Sequence, residues 1–577
     1  MENPALAKVL SQISTILELK EENPFKIRSY QKAVSNIEHI TESVSEIYKK
    51  GGRKALEEID GIGSGISERI EEILTTGKSS YLEELHEDIP ESVIGMLGVQ
   101  GVGPKLVIKL YRDLGIKSVG ELLSAAKKGA LEKLDGVRDK KIENIIKGIE
   151  NLGKMDKKHL IGEALPYAEA LLRSIRKKPF VSKAVICGSL RRMKETIGDI
   201  DILAVSSDPK LLADDFVSLS QVTQVIAKGE TKSSVILENG MNADLRVIKE
   251  EEFGSASHYF TGSKQHNIKI RKLAISKGLK VSEYGVFKGG KRIAGKTEEE
   301  LFKVLGLQYI PPELREDSGE IEAAQKNSLP ALVDLKDIKG DLHSHSDYTD
   351  GTSSIEEMAL AAKKLGYKYM AVTDHSKSTK VAGGLTEKEL LKQINEIDKI
   401  NKKLPGFRIL KGSEVDILND GSLDFPDELL SKLDIVIASI HSGFSMSKEA
   451  MTKRIIKAMQ NKFVNIIAHP TGRLIGKRLP YESDIEKIIA EAARTGTSLE
   501  LNSYPDRLDL NDVHCRLAKE KGARISINTD SHSTNNLLFM KYGIGTARRG
   551  WLTKKDVINT FSLNNLLSFV SRKRKRS

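Results

Sequence analysis

Cysteine is almost missing from this chain: Cys187 and Cys515 are the two thiols among 577 residues. Two cysteines cannot staple a protein of this size, which excludes a disulfide scaffold and points to the reducing cytoplasm. Long apolar runs are missing too. The longest uncharged ones, such as Ile435–Ile440 and Val464–Ala468, fall far short of the ~20 residues that cross a bilayer, so no membrane association is expected. The opening Met1-Glu2-Asn3-Pro4 has no basic region followed by an apolar stretch, so no secretory signal is expected either. What remains is the balance of a soluble globular protein, 30% charged and 39% hydrophobic, with a mean hydropathy of −0.31. Division by about 150 residues per domain suggests roughly four domains.

Lysine and arginine number 91 against 80 acids, a net charge of +11 and a pI near 9.1. That excess permits a polyanionic partner without requiring one. The ending Arg572-Lys573-Arg574-Lys575-Arg576 reads first as a solvated basic tail and second as a phosphate contact or localisation signal. Seven of the 12 histidines lie at or beyond His343, a hint that the C-terminal part handles metal.

Residues 1–150 read as helices broken by glycine, with apolar residues at three-to-four spacing in Leu10, Ile13, Ile16 and Leu17, and again in Ile66, Ile70 and Ile73. From Ala184 the pattern changes to short β-branched runs, and Asn239-Gly240 between two of them signals a hairpin. A polar stretch after Pro311-Pro312 reads as a linker. From Lys339 onward, apolar strands alternate with amphipathic helices, the rhythm of βα units around a parallel sheet or barrel. Seven candidate strands end near Leu342, Val372, Leu410, Ser439, Ile467, Leu501 and Ile527, and nearly every one is followed by His, Asp or Glu.

Two constellations carry chemistry. In the first, Gly188-Ser189-Leu190-Arg191-Arg192 precedes Gly198-Asp199-Ile200-Asp201. Residues two apart on a strand share a face, so Asp199 and Asp201 aim their carboxylates at one spot, and Asp244 on a later strand completes a triad. Three converging carboxylates suit magnesium, which prefers hard oxygen ligands. Gly188 and Ser189 offer N–H groups and a hydroxyl to a phosphate, and Arg192 a fixed charge.

These motifs resemble the nucleotidyltransferase palm of the family X DNA polymerases, the group that includes polymerase beta, and the resemblance extends over residues 1–317. Tyr259-Phe260-Thr261-Gly262-Ser263 is similar to that family's nucleotide-binding segment. The resemblance implies that Ser189, Arg192 and Gly198 hold the triphosphate, and that Tyr259 and Phe260 line the sugar pocket. Gly262 lets the backbone approach, Asn267 contacts the base, and Arg271 contacts the template. Upstream, Ile59-Asp60-Gly61-Ile62-Gly63-Ser64-Gly65 and Gly98-Val99-Gln100-Gly101-Val102-Gly103-Pro104-Lys105 resemble helix-hairpin-helix turns, with Leu134-Asp135-Gly136-Val137 a weaker third copy. Through Gly61, Gly63, Gly65, Gly101, Gly103 and Lys105 such turns would hold DNA phosphates. The lysine that the family's lyase-active members use falls on Arg69 here. A guanidinium cannot serve as that amine, which leaves Lys26 or Lys32 as substitutes.

The second constellation is His343-x-His345, Asp350, Asp374-His375, Glu414, His441, His469 and Asp530-x-His532, each after an apolar run. On a βα barrel these would gather at the C-terminal edge, where such folds place their sites. Imidazole with bridging carboxylate suits zinc, manganese or iron better than magnesium. The pattern resembles the PHP (polymerase and histidinol phosphatase) domain, a seven-stranded βα barrel holding up to three metals. All nine ligand positions are filled, by His343, His345, Asp350, His375, Glu414, His441, His469, Asp530 and His532. Arg473 is a weaker candidate for a substrate phosphate.

Joined in this order, the halves resemble the bacterial and archaeal PolX family. The implied fold is multidomain α/β. It runs from an N-terminal helical domain (1–80) and a fingers-like helical domain (81–150) through a mixed-sheet palm (151–260) and thumb (261–317). A linker (318–338) then leads to the barrel (339–577). The implied function is gap-filling, template-directed DNA synthesis in repair, with magnesium in the palm. A manganese- or zinc-dependent 3′–5′ exonuclease in the barrel would also act on abasic sites and 3′-blocked ends. Gapped or primed DNA and deoxynucleoside triphosphates are the partners, and a monomer is expected. Two other readings stand: a PHP-type phosphoesterase with a DNA-binding nucleotidyltransferase-like module, and a non-catalytic DNA scaffold. Intact carboxylates at both sites disfavour the latter.

Overall fold

A computed structural model describes residues 3–40, 43–59, 61–99, 102–134, 158–575 and a few positions between 137 and 149. Among them, no helix is long and apolar enough to cross a membrane. The helical residues up to Ile145 bury one continuous apolar cluster, in which Leu10, Ile13, Ile16 and Leu17 meet Ile70, Ile73, Val107 and Leu110. Two glycine turns lead into helices α1 (Ser64–Thr76) and α2 (Pro104–Leu114), whose N-caps are Gly63 and Gly103. Pro104 takes the first helical position, where its missing N–H costs nothing. Gly101, Asp135 and Gly136 lie outside the described residues.

The palm is a five-stranded mixed sheet. Its strands are β1 (Val181–Ile186), β2 (Asp199–Ser206), β3 (Val222–Ala227), β4 (Lys232–Leu237) and β5 (Asn242–Ile248), in spatial order β1-β2-β5-β4-β3. The hairpin signal sits where expected: β4 and β5 pair antiparallel, Gly240 has φ +83°, and Asn239 Oδ1 accepts from the Met241 N–H at 3.1 Å. Asparagine and glycine are favoured there because one bonds its own backbone and the other adopts positive φ without a Cβ clash. Strands β2 and β5 run parallel. Beyond them helices α3 (Phe253–Thr261) and α4 (Lys264–Ser276) lead to a small antiparallel sheet of Lys280–Ser282, Gly285–Lys288 and Lys291–Ala294.

Residues 318–338, expected as a linker, hold helix α5 (Glu320–Gln325), whose Ile321 and Ala324 are buried in the cluster formed by the preceding helices and small sheet. Glu320 Oε1 lies 2.6 Å from Nδ1 of the buried His266. A polar composition hid this, because only a few apolar residues, Ile321 and Ala324 among them, make the contact while Leu335 stays exposed.

The C-terminal part is a barrel of seven parallel strands in sequential order. They are β6 (Gly340–Asp341), β7 (Tyr369–Val372), β8 (Arg408–Asp416), β9 (Ile435–Ser439), β10 (Ile466–Ile467), β11 (Ser498–Asn502) and β12 (Ile525–Asn528). The His345 N–H donates to Ser531 O at 2.8 Å, drawing the first and last strands together. Strand β8 runs on past Leu410 to Asp416, so Glu414 stands within a strand rather than beyond its end. Inside, Leu342, Tyr369, Leu410, Ile437 and Ile466 form a packed layer, as short barrels require.

Helices α6 (Met540–Arg549) and α7 (Leu563–Lys575) complete the barrel. Leu566 and Val570 of α7 cover the inner layer. Lys573, expected in a solvated tail, is instead half-buried and donates to Val464 O and Thr497 Oγ1, each at 2.8 Å. The barrel is docked on the palm: Leu508 and Tyr542 are buried with the palm core, and a Cβ at Gly545 would strike Met193.

Candidate active sites

On the palm, Asp201 of β2 stands directly opposite Asp244 of β5 in the parallel register, with Asp199 two residues before on the same face. Ile200 and Ile202 point the other way and are buried. Burial, then Asp199 and Asp244, pushes the Asp201 carboxyl up to about 7, and burial with Asp244 raises Asp199 as well. Like charges held this close favour a proton or a cation. Two counter-charges offset part of this, Arg246 acting on Asp201 and Lys232 with its Nζ at 2.7 Å from Asp244. Gly188 is buried at φ +65°, and a Cβ on it would collide with the Asp201 carboxylate. The glycine thus lets the Gly188–Arg191 turn sit against the triad.

Next to this triad, Tyr259 and Phe260 meet edge to face at 5.1 Å, and the Arg246 guanidinium lies 4.4 Å over the Phe260 ring. Asn267 Nδ2 donates to Tyr259 O at 2.7 Å, while its buried Oδ1 has no partner. Arg271 Nε donates to Asn267 O at 3.3 Å. Arg192 donates from Nε to Glu316 and from Nη1 to Thr261 O, beside Gly262. Arg191 is used differently, in two bonds to Glu298 at 2.9 and 2.8 Å, and Glu298 also accepts from the buried Arg315. Sequence reading missed Arg246, although its place two residues after Asp244 on β5 puts it on the triad's face.

In the barrel all nine expected ligands converge. Glu414 is the hub: its oxygens lie 3.5 Å from His343 Nε2, 3.6 Å from His345 Nε2, 2.9 Å from His375 Nδ1, 3.4 Å from His441 Nε2 and 3.0 Å from His469 Nε2. Asp530 Oδ1 is 3.1 Å from His345 Nε2, and Asp350 Oδ2 is 3.5 and 3.3 Å from His375 and His532. Three overlapping groups emerge: His345, Asp350, His375 and His532; His343, His345 and Asp530; and His375, Glu414 and His441. Burial lowers imidazole pKa values, yet Glu414 with Asp350 holds His375 up at about 10, and Glu414 with Asp416 holds His441 up at about 9.

Both donor sets fit divalent cations. The palm offers hard carboxylate oxygens whose charge is only partly offset. The barrel offers mixed nitrogen and oxygen donors, and His345 Nδ1 is buried without a hydrogen-bond partner. The surrounding residues orient the imidazoles: Glu500 Oε1 is 2.7 Å from His343 Nδ1, and Asp416 Oδ1 is 2.8 Å from His441 Nδ1. Neither acid was read from the sequence, although an acid inside the apolar strand Leu499-Glu500-Leu501 is a visible signal. Glu500→Gln is expected to weaken barrel metal binding about 10–100-fold, measured by metal titration against a chelator. An unchanged affinity would remove Glu500 from this role.

Arg473 does not reach the ligands. Its Nη2 bonds Glu195 Oε2 of the palm at 2.7 Å and its Nε bonds Arg507 O at 2.9 Å. Arg507 does approach, with Nε 3.6 Å from Asp530 Oδ2. In the helical part, Arg69 stacks 4.7 Å over Tyr81, whose hydroxyl accepts from Lys26 Nζ at 2.8 Å. Lys32 packs its stem where a Cβ on Gly61 would come within 2.8 Å. Gly63, Gly65 and Gly103 face open space, and Lys105 follows in the first turn of α2.

Four family models match separate parts of the chain. A helix-hairpin-helix domain matches residues 1–79, a SAM-like helix-hairpin-helix tandem 93–151, the DNA polymerase beta thumb 256–316 and the PHP domain 341–503. A "Probable phosphatase" of Thermoanaerobacter sp. (strain X514) is 34% identical over 231 residues, which are 38% of this chain and 89% of that one. Another, of Syntrophotalea carbinolica, is 30% identical over 241 residues, 40% of this chain and 95% of its own. The "DNA polymerase/3'-5' exonuclease PolX" of Bacillus subtilis (strain 168) is 42% identical over 576 residues, 99% of this chain and 100% of that protein. The phosphatases match less than half of this chain, whereas the Bacillus protein is colinear with helical part, palm, thumb and barrel together, and the chain accordingly belongs to the PolX family.

Proposed function

We propose that this protein is a template-directed DNA polymerase that fills short gaps in cytoplasmic DNA repair, including base excision repair, and that its barrel is a metal-dependent 3′–5′ exonuclease. The observation that supports this best is the pair of separate ligand sets, all carboxylate on the palm and histidine-rich in the barrel, on one chain colinear with the Bacillus protein. The enzyme works on gapped or primed DNA as a monomer.

Asp199, Asp201 and Asp244 would hold magnesium, and the nine barrel ligands would hold up to three manganese or zinc ions. These ions supply Lewis acidity to a phosphoryl group and acidify the attacking oxygen. The chain's own residues do the rest. Gly188, Ser189, Gly198 and Arg192 cradle the triphosphate, and Arg192 offsets charge on the leaving pyrophosphate. Tyr259 and Phe260 form the wall on which the sugar rests, and Gly262 lets the backbone come near it. Asn267, with its unpartnered Oδ1, and Arg271 contact base and template. The glycine turns around Gly61, Gly63, Gly65, Gly101 and Gly103, with Lys105, bind DNA phosphates and set position without reading sequence. In the barrel, Glu414 and Asp530 bring the imidazoles together, and the ions that these residues would hold would supply the positive charge that draws a 3′-terminal phosphodiester. Action on abasic sites and 3′-blocked ends uses the same donors.

The test is a duplex with a short gap and a labelled primer. With magnesium and all four nucleotides, extension should stop at the end of the gap. With manganese and no nucleotides, the primer should shorten from its 3′ end. A protein that releases phosphate from a small monoester but neither extends nor shortens the primer would be a phosphoesterase instead.

A further inference from the structure

Arg192 is held by more than the palm. Its Nε donates to Glu316 Oε1 at 3.0 Å, and its backbone carbonyl accepts from Arg549 Nη1 at 2.9 Å. The same Arg549 Nη1 donates to Glu316 Oε1 at 2.8 Å. Arg549 is fixed in turn by Asp512, at 2.9 Å from Nε and 2.8 Å from Nη2. The Arg549 side chain is 5% exposed and that of Glu316 7%. Arg192 closes the turn against the carboxylate triad, Glu316 stands at the end of the thumb match, and Arg549 ends helix α6 of the barrel. Three parts of the molecule thus share one carboxylate oxygen.

We propose that Arg549 is a positioning residue for nucleotide addition: the barrel neutralises and orients Glu316, so that Arg192 keeps its charge for the triphosphate of the incoming nucleotide. This rests on the reading of Arg192 as a triphosphate ligand. A buried carboxylate paired with a single guanidinium cancels its field, and little attraction is left for a phosphate. Arg192, Arg549 and Lys194, whose Nζ is 3.9 Å from Glu316, set three positive charges against Glu316 and Asp512, which leaves one positive charge beside the triad; without Arg549 none is left. The Arg549 bond to the Arg192 carbonyl also fixes the backbone from which that side chain extends. The docked barrel is therefore part of the polymerase site, independently of its metal ligands.

The experiment measures single-nucleotide gap filling by the full chain at varied nucleotide concentration. For R549Q, KM for the nucleotide should rise about tenfold or more, the range of a lost charge-assisted bond, with kcat within about threefold. R549K, which returns the charge, should recover most of the loss. E316Q removes the anion itself, so it should keep KM at or below the wild-type value, and it should rescue R549Q in the double variant. Exonuclease activity of R549Q should stay near wild type. An unchanged KM in R549Q, or a double variant no better than R549Q, overturns the proposal in favour of a plain structural clamp. Should R549Q fail to fold, E316Q decides alone, because a tenfold higher KM there contradicts charge neutralisation. R192A is the control for the underlying reading: if its KM is unmoved, Arg192 is not a triphosphate ligand, and that failure is separate from any result at Arg549.

Discussion

Asp201→Asn should lose nucleotide addition by at least about a thousandfold, while 3′–5′ degradation stays within about twofold of wild type. The substitution keeps the shape of the side chain and removes one of three carboxylates that share a face across β2 and β5. A metal ligand is lost together with the charge that balances the cation. The same change should act oppositely on the metal-free fold. The folded-state pKa of Asp201 is raised to about 7 from an ordinary 3.8, first by burial and then by Asp199 and Asp244. Between those values the folded state keeps a proton that the unfolded chain releases, so wild-type stability falls as pH rises through that window. Asparagine has no such proton. In chelator, Asp201→Asn should therefore unfold at a higher temperature than wild type at pH 8, and the gap should close near pH 4. Primer extension and thermal melts check the two halves. Near-wild-type extension by the variant would end the assignment of the palm triad.

The second large effect belongs to the barrel. Replacing His343 and His345 together by Ala should abolish 3′–5′ degradation and lower the metal content of the purified protein, with gap filling kept within about twofold. His343 and His345 lie two apart after β6, and their Nε2 atoms stand 3.2 Å from each other and face Glu414 and Asp530. Truncating both leaves the buried Glu414 and Asp530 carboxylates with fewer donors beside them, so ions are lost rather than shifted. The palm has its own carboxylates, and Arg549, the barrel residue that bonds the Arg192 carbonyl, ends α6 and is not among the nine expected ligands. Degradation of a labelled single strand in manganese is the measurement. A double variant that degrades it at the wild-type rate would place the nuclease elsewhere.

Much of both sites is legible in the order of residues, because the signals are local. Alternation on one strand puts Asp199 and Asp201 on the same face, Asn239-Gly240 turns the next hairpin, and most barrel ligands, though not Asp350 or Glu414, come close after a short apolar run. Such patterns need no knowledge of what packs where, since the pleat and the βα rhythm orient them. Other features depend on packing between distant segments and leave no local mark. Glu500 and Asp416 orient histidines that lie far from them along the chain. Arg473 looks like a phosphate ligand from its loop, yet the docked palm supplies Glu195 as its partner. Residues 318–338 look like a tether by composition, but Ile321 and Ala324 are buried once the thumb is beside them. The sequence by itself determined the chemistry of the two ligand sets and the alternation that builds their scaffolds. Only the tertiary structure decided that Arg192, Glu316 and Arg549 meet, because a shared buried carboxylate exists only after palm, thumb and barrel have closed around it and excluded water.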